Sequence, residues 1–218
     1  METFSIKNFF SRAWQYTKSH MTFLVVSTLI YLAIAMVLGS AGGHRGALSG
    51  ILSLASNVIQ VIFTIGLIKI SFLIISGGSP KAEDFKTDWT IFWRMVWACI
   101  VATFFAVIGF ILLIIPGIYV GIRLTLSPYF VIDKKMSGWQ AVKESWRVTK
   151  DHFWKLFGLN LLLICVVIVS LIPFGLGLLL SLPFGVMVMS LVYKHLSSRE
   201  FLETEKNISV VENPTIAN

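Results

Sequence analysis

Apolar and polar positions along this chain fall into long blocks rather than alternating residue by residue. Six apolar runs stand out: Thr22–Gly39, Ile51–Ser76, Arg94–Ile115, Pro116–Ile132, Leu156–Ile172 and Gly177–Leu196. A helix needs about 20 mostly apolar residues to cross the hydrocarbon of a bilayer, and ~17–25 will serve. The runs therefore predict six transmembrane helices. Ile115-Pro116-Gly117 marks a turn between the third and fourth, and Pro173-Phe174-Gly175 one between the fifth and sixth. Proline suits the first turn of a helix, and a proline-glycine pair ends the one before it. The first 21 residues are too long and too aromatic for the basic leader of a signal peptide, so Thr22–Gly39 is read as a retained span.

A second pattern sits before three of the spans. In Ser137–Lys155, Trp139, Val142, Trp146, Thr149 and Phe153 recur in steps of three and four, while Lys143, Glu144, Arg147, Lys150 and Asp151 fall largely elsewhere. That spacing predicts an amphipathic helix lying in the interface, aromatic face inward and basic face toward the headgroups. The N-terminal segment repeats it, with Ile6, Phe9, Phe10, Ala13 and Trp14 against Lys7, Arg12 and Lys18. A shift of 132 positions aligns Trp14 with Trp146, Thr17 with Thr149, Lys18 with Lys150, His20 with His152 and Leu24 with Leu156, five identities in eleven positions. A fainter third copy pairs Phe92-Trp93-Arg94-Met95 with Phe153-Trp154-Lys155-Leu156. The expectation is one membrane domain over 1–197 with a pseudo-threefold repeat of helical hairpins, in units of about 1–76, 81–132 and 137–197. Residues 198–218 form a polar tail of mixed sign, expected to be a flexible cytoplasmic end, disordered or partly helical.

Composition agrees with the blocks. The 218 residues are 56% hydrophobic and 13% charged, against ~45–50% and ~25% in ordinary soluble domains. One soluble core of this size cannot hide that much apolar surface, and a disordered chain is equally excluded. The formal charge of +7 changes the picture once it is sorted by side. Six spans put fifteen Lys and Arg on the side of the N-terminus and only Arg45 opposite, with Lys69 and Arg123 inside spans. Basic loops stay in the cytoplasm, so both termini are expected there. All seven tryptophans fall at or near the same side, with Trp14, Trp93, Trp139, Trp146 and Trp154 as the expected interfacial anchors.

Little catalytic chemistry is visible. Cys99 and Cys165, the two cysteines, lie in apolar runs with no metal-ligand spacing, and none of the four histidines stands near a carboxylate at such spacing. No catalytic, cofactor-binding or metal-binding residue is expected. Arg123 is the sharpest candidate, because a charge inside a span is costly and no Asp or Glu lies in any span to pair with it. It could meet backbone carbonyls, a water-filled cavity or a lipid headgroup, or snorkel toward the cytoplasm. Lys69 is expected to snorkel. Asn57, Gln60 and Asn160 are read as helix-to-helix glue. Arg123, Lys69, Lys143, Arg147 and Lys150 form the candidate set for binding an anion or an anionic lipid.

Ile115-Pro116-Gly117-Ile118-Tyr119, Arg123, Pro128-Tyr129, Asp133, Ala141, Ser145-Trp146, Thr149 and Phe153-Trp154 together resemble the membrane domain attached to some bacterial glycerophosphodiester phosphodiesterases, and its stand-alone, uncharacterised integral membrane relatives. The resemblance implies a six-helix module of the bacterial inner membrane with no established activity, and a basic residue at the Arg123 position. It does not carry the phosphodiesterase activity, because a catalytic barrel takes about 250 residues. His44-Arg45-Gly46 also occurs in those catalytic domains, but here it stands in a glycine-rich loop with no acidic residue on its side.

The expected function is therefore a non-enzymatic, multi-pass membrane protein without cofactors. It would engage anionic lipid or a protein partner at the cytoplasmic leaflet, and no nucleic acid. The alternative is a transporter or channel for a small anion or amphiphile, with Arg123 in the pathway. A lipid enzyme ranks last, for want of an acid, base or nucleophile cluster.

Overall fold

The computed structural model describes residues 5–41, 47–112, 114–172 and 176–212, and these are all-helical with no strand among them. The helices are α1 (Ile6–Ser19), α2 (Met21–Ala41), α3 (Ala47–Ile75), α4 (Trp89–Leu112), α5 (Ile114–Leu124), α6 (Ser127–Asp133), α7 (Gly138–Val148), α8 (Phe153–Leu171) and α9 (Leu178–Glu212). A 3-10 turn, Ala82–Phe85, precedes α4, and another, Lys150–His152, precedes α8. Five stretches are long and apolar enough to cross a membrane: Met21–Leu38, Gly50–Ile75, Trp89–Gly109, Lys150–Leu171 and Leu178–Ser198. The chain is thus a membrane protein by the length and composition of its helices. The His44-Arg45 loop and the Pro173-Phe174-Gly175 turn lie outside the described residues. The tail is helical as far as Glu212.

The fourth apolar run departs from expectation. It forms two helices, α5 of 11 residues and α6 of 7, about 16 Å and about 10 Å long. The cause is Pro128, which has no N–H to give the Leu124 carbonyl and whose ring would crowd it. Ser127 Oγ donates to that carbonyl instead, at 2.7 Å. The rest of the α5 terminus is equally complete. The last four carbonyls of a helix have no partner within it, and here each finds one. Gly121 O accepts from Thr125 Oγ1 at 3.0 Å, Ile122 O from the Thr125 amide at 3.3 Å, and Arg123 O from Ser145 Oγ at 2.7 Å.

Despite the break, α5 and α6 retrace α4 for most of its length. Near the turn, a Cβ on Gly109 would lie 2.9 Å from the Gly117 Cα. Midway, Cys99 and Thr103 face Gly121 and Thr125 across a small cavity. At the far end, Arg94 Nη1 donates to the Lys135 carbonyl. Lys135 takes a left-handed φ of 49°, a conformation that costs a non-glycine residue roughly 1–2 kcal/mol. Arg94 ties down that reversal.

The helices sort into an inner and an outer set. The inner set is α3, α5–α6 and α9, and the outer set is α2, α4 and α8. Burial separates them: 39% and 56% of the apolar stretches of α3 and α9 are buried, against 11% in both α2 and α8. Phe72 of α3, Tyr129 of α6 and Tyr193 of α9 meet at the centre, with ring centroids 5.5 to 6.2 Å apart in all three pairings. Tyr193 also donates its hydroxyl to Asp133 Oδ2 at 2.7 Å.

The shorter segments that precede the spans pack on this bundle. α1 packs on α9, α7 packs on α4, α5 and α6, and the Ala82–Phe85 turn packs on α3. Their buried faces differ from the expected aromatic stripe. In α7 they are Gly138, Ala141, Val142, Ser145 and, at its cap, Thr149, while Trp139 and Trp146 are exposed. In α1 they are Phe9, Ala13 and Thr17, with Trp14 exposed. Small residues win the inner face of α7 because the helix backbone itself comes into contact. A Cβ on Gly138 would stand 2.5 Å from the Ala98 backbone nitrogen. Gly138→Ala is expected to destabilise by about 1–3 kcal/mol through this overpacking. Gly121→Ala, where a Cβ meets nothing within 4 Å, should not do so. Thermal unfolding of the two variants in detergent, read by tryptophan fluorescence, checks the contrast.

Candidate functional site

α7 starts at a cap made by its own residues. Ser137 and Gln140 make a reciprocal cap: the Ser137 amide donates to Gln140 Oε1 at 3.2 Å and the Gln140 amide to Ser137 Oγ at 3.5 Å. Such a box starts a helix sharply after an extended residue. The helix then lies against the end of α5, where Arg123 stands in the last turn, 4% exposed.

Protein atoms surround the Arg123 side chain. Nη1 donates to the Tyr119 hydroxyl at 2.7 Å, Nη2 to the Trp146 carbonyl, and Nε to Thr149 Oγ1 at 3.5 Å. The guanidinium carbon lies 4.0 Å from the centroid of the Trp146 ring and 5.3 Å from that of Tyr119. Phe153 closes the far side of Tyr119, ring centroids 4.6 Å apart. Desolvated stacking of this kind contributes about 2 kcal/mol per good face. Of five guanidinium N–H bonds, three point at protein acceptors, and no carboxylate among the described residues pairs with the group. The backbone joins the same clasp. The Arg123 carbonyl accepts from Ser145 Oγ, and Thr149 Oγ1 has its shortest contact, 2.7 Å, with the Ser145 carbonyl. Arginine and no other cation suits this place, because its planar fork can stack and donate in several directions at once.

The other candidate residues separate clearly. Lys69 Nζ donates to the Lys86 carbonyl at 2.8 Å and so holds the segment before α4 against α3. Lys143, Arg147 and Lys150 are exposed along α7 and just past its end. Arg147 pairs with Glu144 at 2.7 Å, while Lys143 makes no hydrogen bond or ion pair among the described residues. The five expected anchors, Trp14, Trp93, Trp139, Trp146 and Trp154, are all at least 39% exposed, as suits side chains meeting lipid. Beside α7 an apolar cavity of about 230 Å³ opens between Phe105, Val120, Leu124, Val142, Lys143 and Trp146. Among the described residues, no group of three or more His, Cys, Asp or Glu could hold a metal ion. The structure therefore places Arg123 of α5 and the cations on and just after α7 on opposite sides of α7, not in one ligand site: the arginine is buried and Lys143, Arg147 and Lys150 are exposed.

Tyr119 and Ser145 are the partners that periodicity did not single out, whereas Thr149 belongs to the periodic stripe of α7. Their signal is the motif itself, since Tyr119, Arg123, Ser145-Trp146, Thr149 and Phe153 all converge on this clasp. A sequence model of a family described as a protein of unknown function (DUF975) matches residues 48–200, which include the whole clasp. No curated protein and no solved structure matches the chain.

Arg123→Ala is expected to cost about 1.5–3 kcal/mol, the scale of losing hydrogen bonds to a charged group, and Tyr119→Phe about 0.5–1.5 kcal/mol. Amide hydrogen exchange gives the specific reading. Faster exchange confined to α7 in Arg123→Ala is the expected result, and unchanged exchange there would mean that the guanidinium does not hold this helix.

Proposed function

We propose that this chain, which belongs to the DUF975 family of proteins of unknown function, is a non-enzymatic multi-pass membrane protein that engages anionic lipid at the cytoplasmic leaflet. The observation that carries the reading is α7. Its inner face is fixed by a buried arginine clasp, and its outer face presents Trp139, Lys143, Trp146, Arg147 and Lys150. Tryptophan at the headgroup level and lysine toward phosphate are the usual equipment of such a helix. Each basic residue near an anionic surface contributes about 1 kcal/mol. A pathway role for Arg123 in transport of an anion or amphiphile has less support, because three of its donors already meet protein acceptors. A protein partner on the same face is the other occupant the test must separate.

The membrane topology belongs to this proposal. The chain crosses six times, the fourth time as α5 and α6 together, with both termini in the cytoplasm of a bacterial cell. The return of α5–α6 along α4 supports that count, as does the one-sided charge. Kinship with the membrane domain of glycerophosphodiester phosphodiesterases rests on the motif around Arg123.

The threefold repeat belongs here too. Each unit is an amphipathic segment, an outer helix and an inner helix, and each segment seats an aromatic ring on the inner helix of the unit before. Trp146 sits on Arg123, Phe85 on Phe63 with centroids 5.9 Å apart, and Trp14 on Phe184 at 6.2 Å. Shifts of 61 and 132 positions map Phe85 and Trp14 onto Trp146, and 61 maps Arg123 onto Phe184. The same shifts bring Leu24 and Met95 onto Leu156, all three at most 2% exposed. The substitution of Phe184 for arginine accounts for a loose end. Thr149 Oγ1 meets Arg123, whereas Thr17 Oγ1, at the same register, is buried without a hydrogen-bond partner.

Two measurements test the reading. In particles excised from membrane with their lipids, the chain is expected to be enriched in anionic over zwitterionic lipid. The triple variant Lys143→Gln, Arg147→Gln, Lys150→Gln should lose most of that enrichment. Equal lipid composition in both would sink the proposal, and loss of a co-purifying protein instead would favour the partner reading. A reporter active only in the cytoplasm, fused after Asn218, should be active.

A further inference from the structure

Among the cavities lined by the described residues, three apolar ones open beside the segments that precede the spans. The first, about 230 Å³, lies between α4, α5 and α7 and is bounded by Val142, Lys143 and Trp146 on the α7 side. The second, about 340 Å³, lies between α2, α3 and the 3-10 turn, where Ala82 and Phe85 bound it. The third, about 390 Å³, lies between α8, α9 and α1, where Phe10 and Trp14 bound it. Each sits in the seam of one helical hairpin, under the amphipathic segment of the next unit. The bounding residues correspond in register: Phe85 and Trp14 map onto Trp146, Phe10 onto Val142, and Ala82 onto Lys143.

Equivalent cavities on a lipid-facing surface need an occupant of matching chemistry. The walls are hydrocarbon, and an acyl chain is the apolar partner a bilayer supplies to such a seam. The headgroup end differs between them. Only the first cavity has a charged side chain in its wall, Lys143. That wall is apolar throughout, so Lys143 contributes its aliphatic stem, and its ammonium projects beyond the rim as snorkelling lysines do. Trp139 and Trp146 stand four before and three after it on the same side of α7. The segment at the second cavity carries Lys81 and Lys86 against Glu83, Asp84 and Asp88, a net negative set. The helix over the third is basic, but none of its cations lines the cavity.

We infer that these cavities are three copies of one acyl-chain seat, and that Lys143 makes the α4–α5–α7 copy selective for an anionic phospholipid. The chain end lies between Val120, Leu124 and Val142, and the Lys143 ammonium meets a headgroup whose phosphate charge is not offset by a choline cation. This rests on the lipid-binding reading above and sharpens it from a basic face to one stoichiometric site.

The test uses the full chain in detergent with phosphatidylglycerol and phosphatidylcholine at equal concentration. Native mass spectrometry counts retained lipid, and a diazirine on the acyl chain of phosphatidylglycerol locates it. The wild type is expected to retain one phosphatidylglycerol in preference to phosphatidylcholine, with labelling at the first cavity. Lys143→Ala should lower that preference about fivefold while leaving in place the labelling of the first cavity by phosphatidylcholine carrying the same acyl diazirine. Ala82→Lys, at an exposed position, should raise the retained phosphatidylglycerol to two. Val120→Trp, which fills the cavity without touching charge, separates the two ideas. If it abolishes the retained lipid but bulk anionic enrichment of the membrane particle persists, the seat is supported. If retention and preference survive it, the seat is wrong and only the basic face remains. Equal retention of both lipids by the wild type, or an unchanged preference in Lys143→Ala, would overturn the inference outright. Circular dichroism and melting midpoint of each variant confirm that a loss is not unfolding.

Discussion

A guanidinium in an apolar seam has to be met on every side, and in this protein that requirement organises the α5–α7 region. Arg123 cannot reach a carboxylate, so it collects a tyrosine hydroxyl, a threonine hydroxyl, a backbone carbonyl and two aromatic faces. Those groups come from α5, from α7 and from the residue after it. Meeting the arginine's needs is therefore the same event as docking α7. The break between α5 and α6 takes part in this arrangement. Interrupting the helix at Leu124 frees the Arg123 carbonyl, and Ser145 of α7 claims it. One residue thus ties α7 down through its side chain and its backbone together. Neutral and charged hydrogen bonds in low dielectric reinforce each other in such a cluster, and a partly satisfied version would be worse than none.

The broad architecture was legible because hydropathy is a strong, additive signal over twenty residues. Five of the six apolar runs form single helices, four with boundaries within about five residues of those expected and the last continuing to Glu212, and helices form over the N-terminal and Ser137 segments. Local chemistry was less legible. Pro128 stood in plain view, but whether a proline kinks a helix or divides it depends on what receives the orphaned carbonyls. Those receivers, Thr125, Ser127 and Ser145, include one twenty-one residues away from Leu124. The inner face of α7 departs from its hydrophobic periodicity for a related reason. Hydrophobic periodicity ranks tryptophan above glycine and serine, yet close backbone approach selects the small residues and leaves the rings outside.

The candidate site shows the same division. Charge inside an apolar run marked Arg123 at once, and the sequence allowed backbone carbonyls among its possible partners. The identity of the partners was visible only as a motif without a geometry. Lys69 and Lys143, alike in sequence as basic residues near spans, part company in space. One donates to a carbonyl across a loop, and the other stands at the rim of a cavity.

The packing of α1 on α9 carries a consequence in time. α1 ends at Ser19 and its partner begins at Leu178. At ~5–20 residues per second the ribosome needs roughly 8–30 s to make the chain between them. Throughout that interval the face formed by Phe9, Ala13 and Thr17 lacks α9, the helix it packs on most. A helix near the start of the chain is thus secured only when the one near its end has been made.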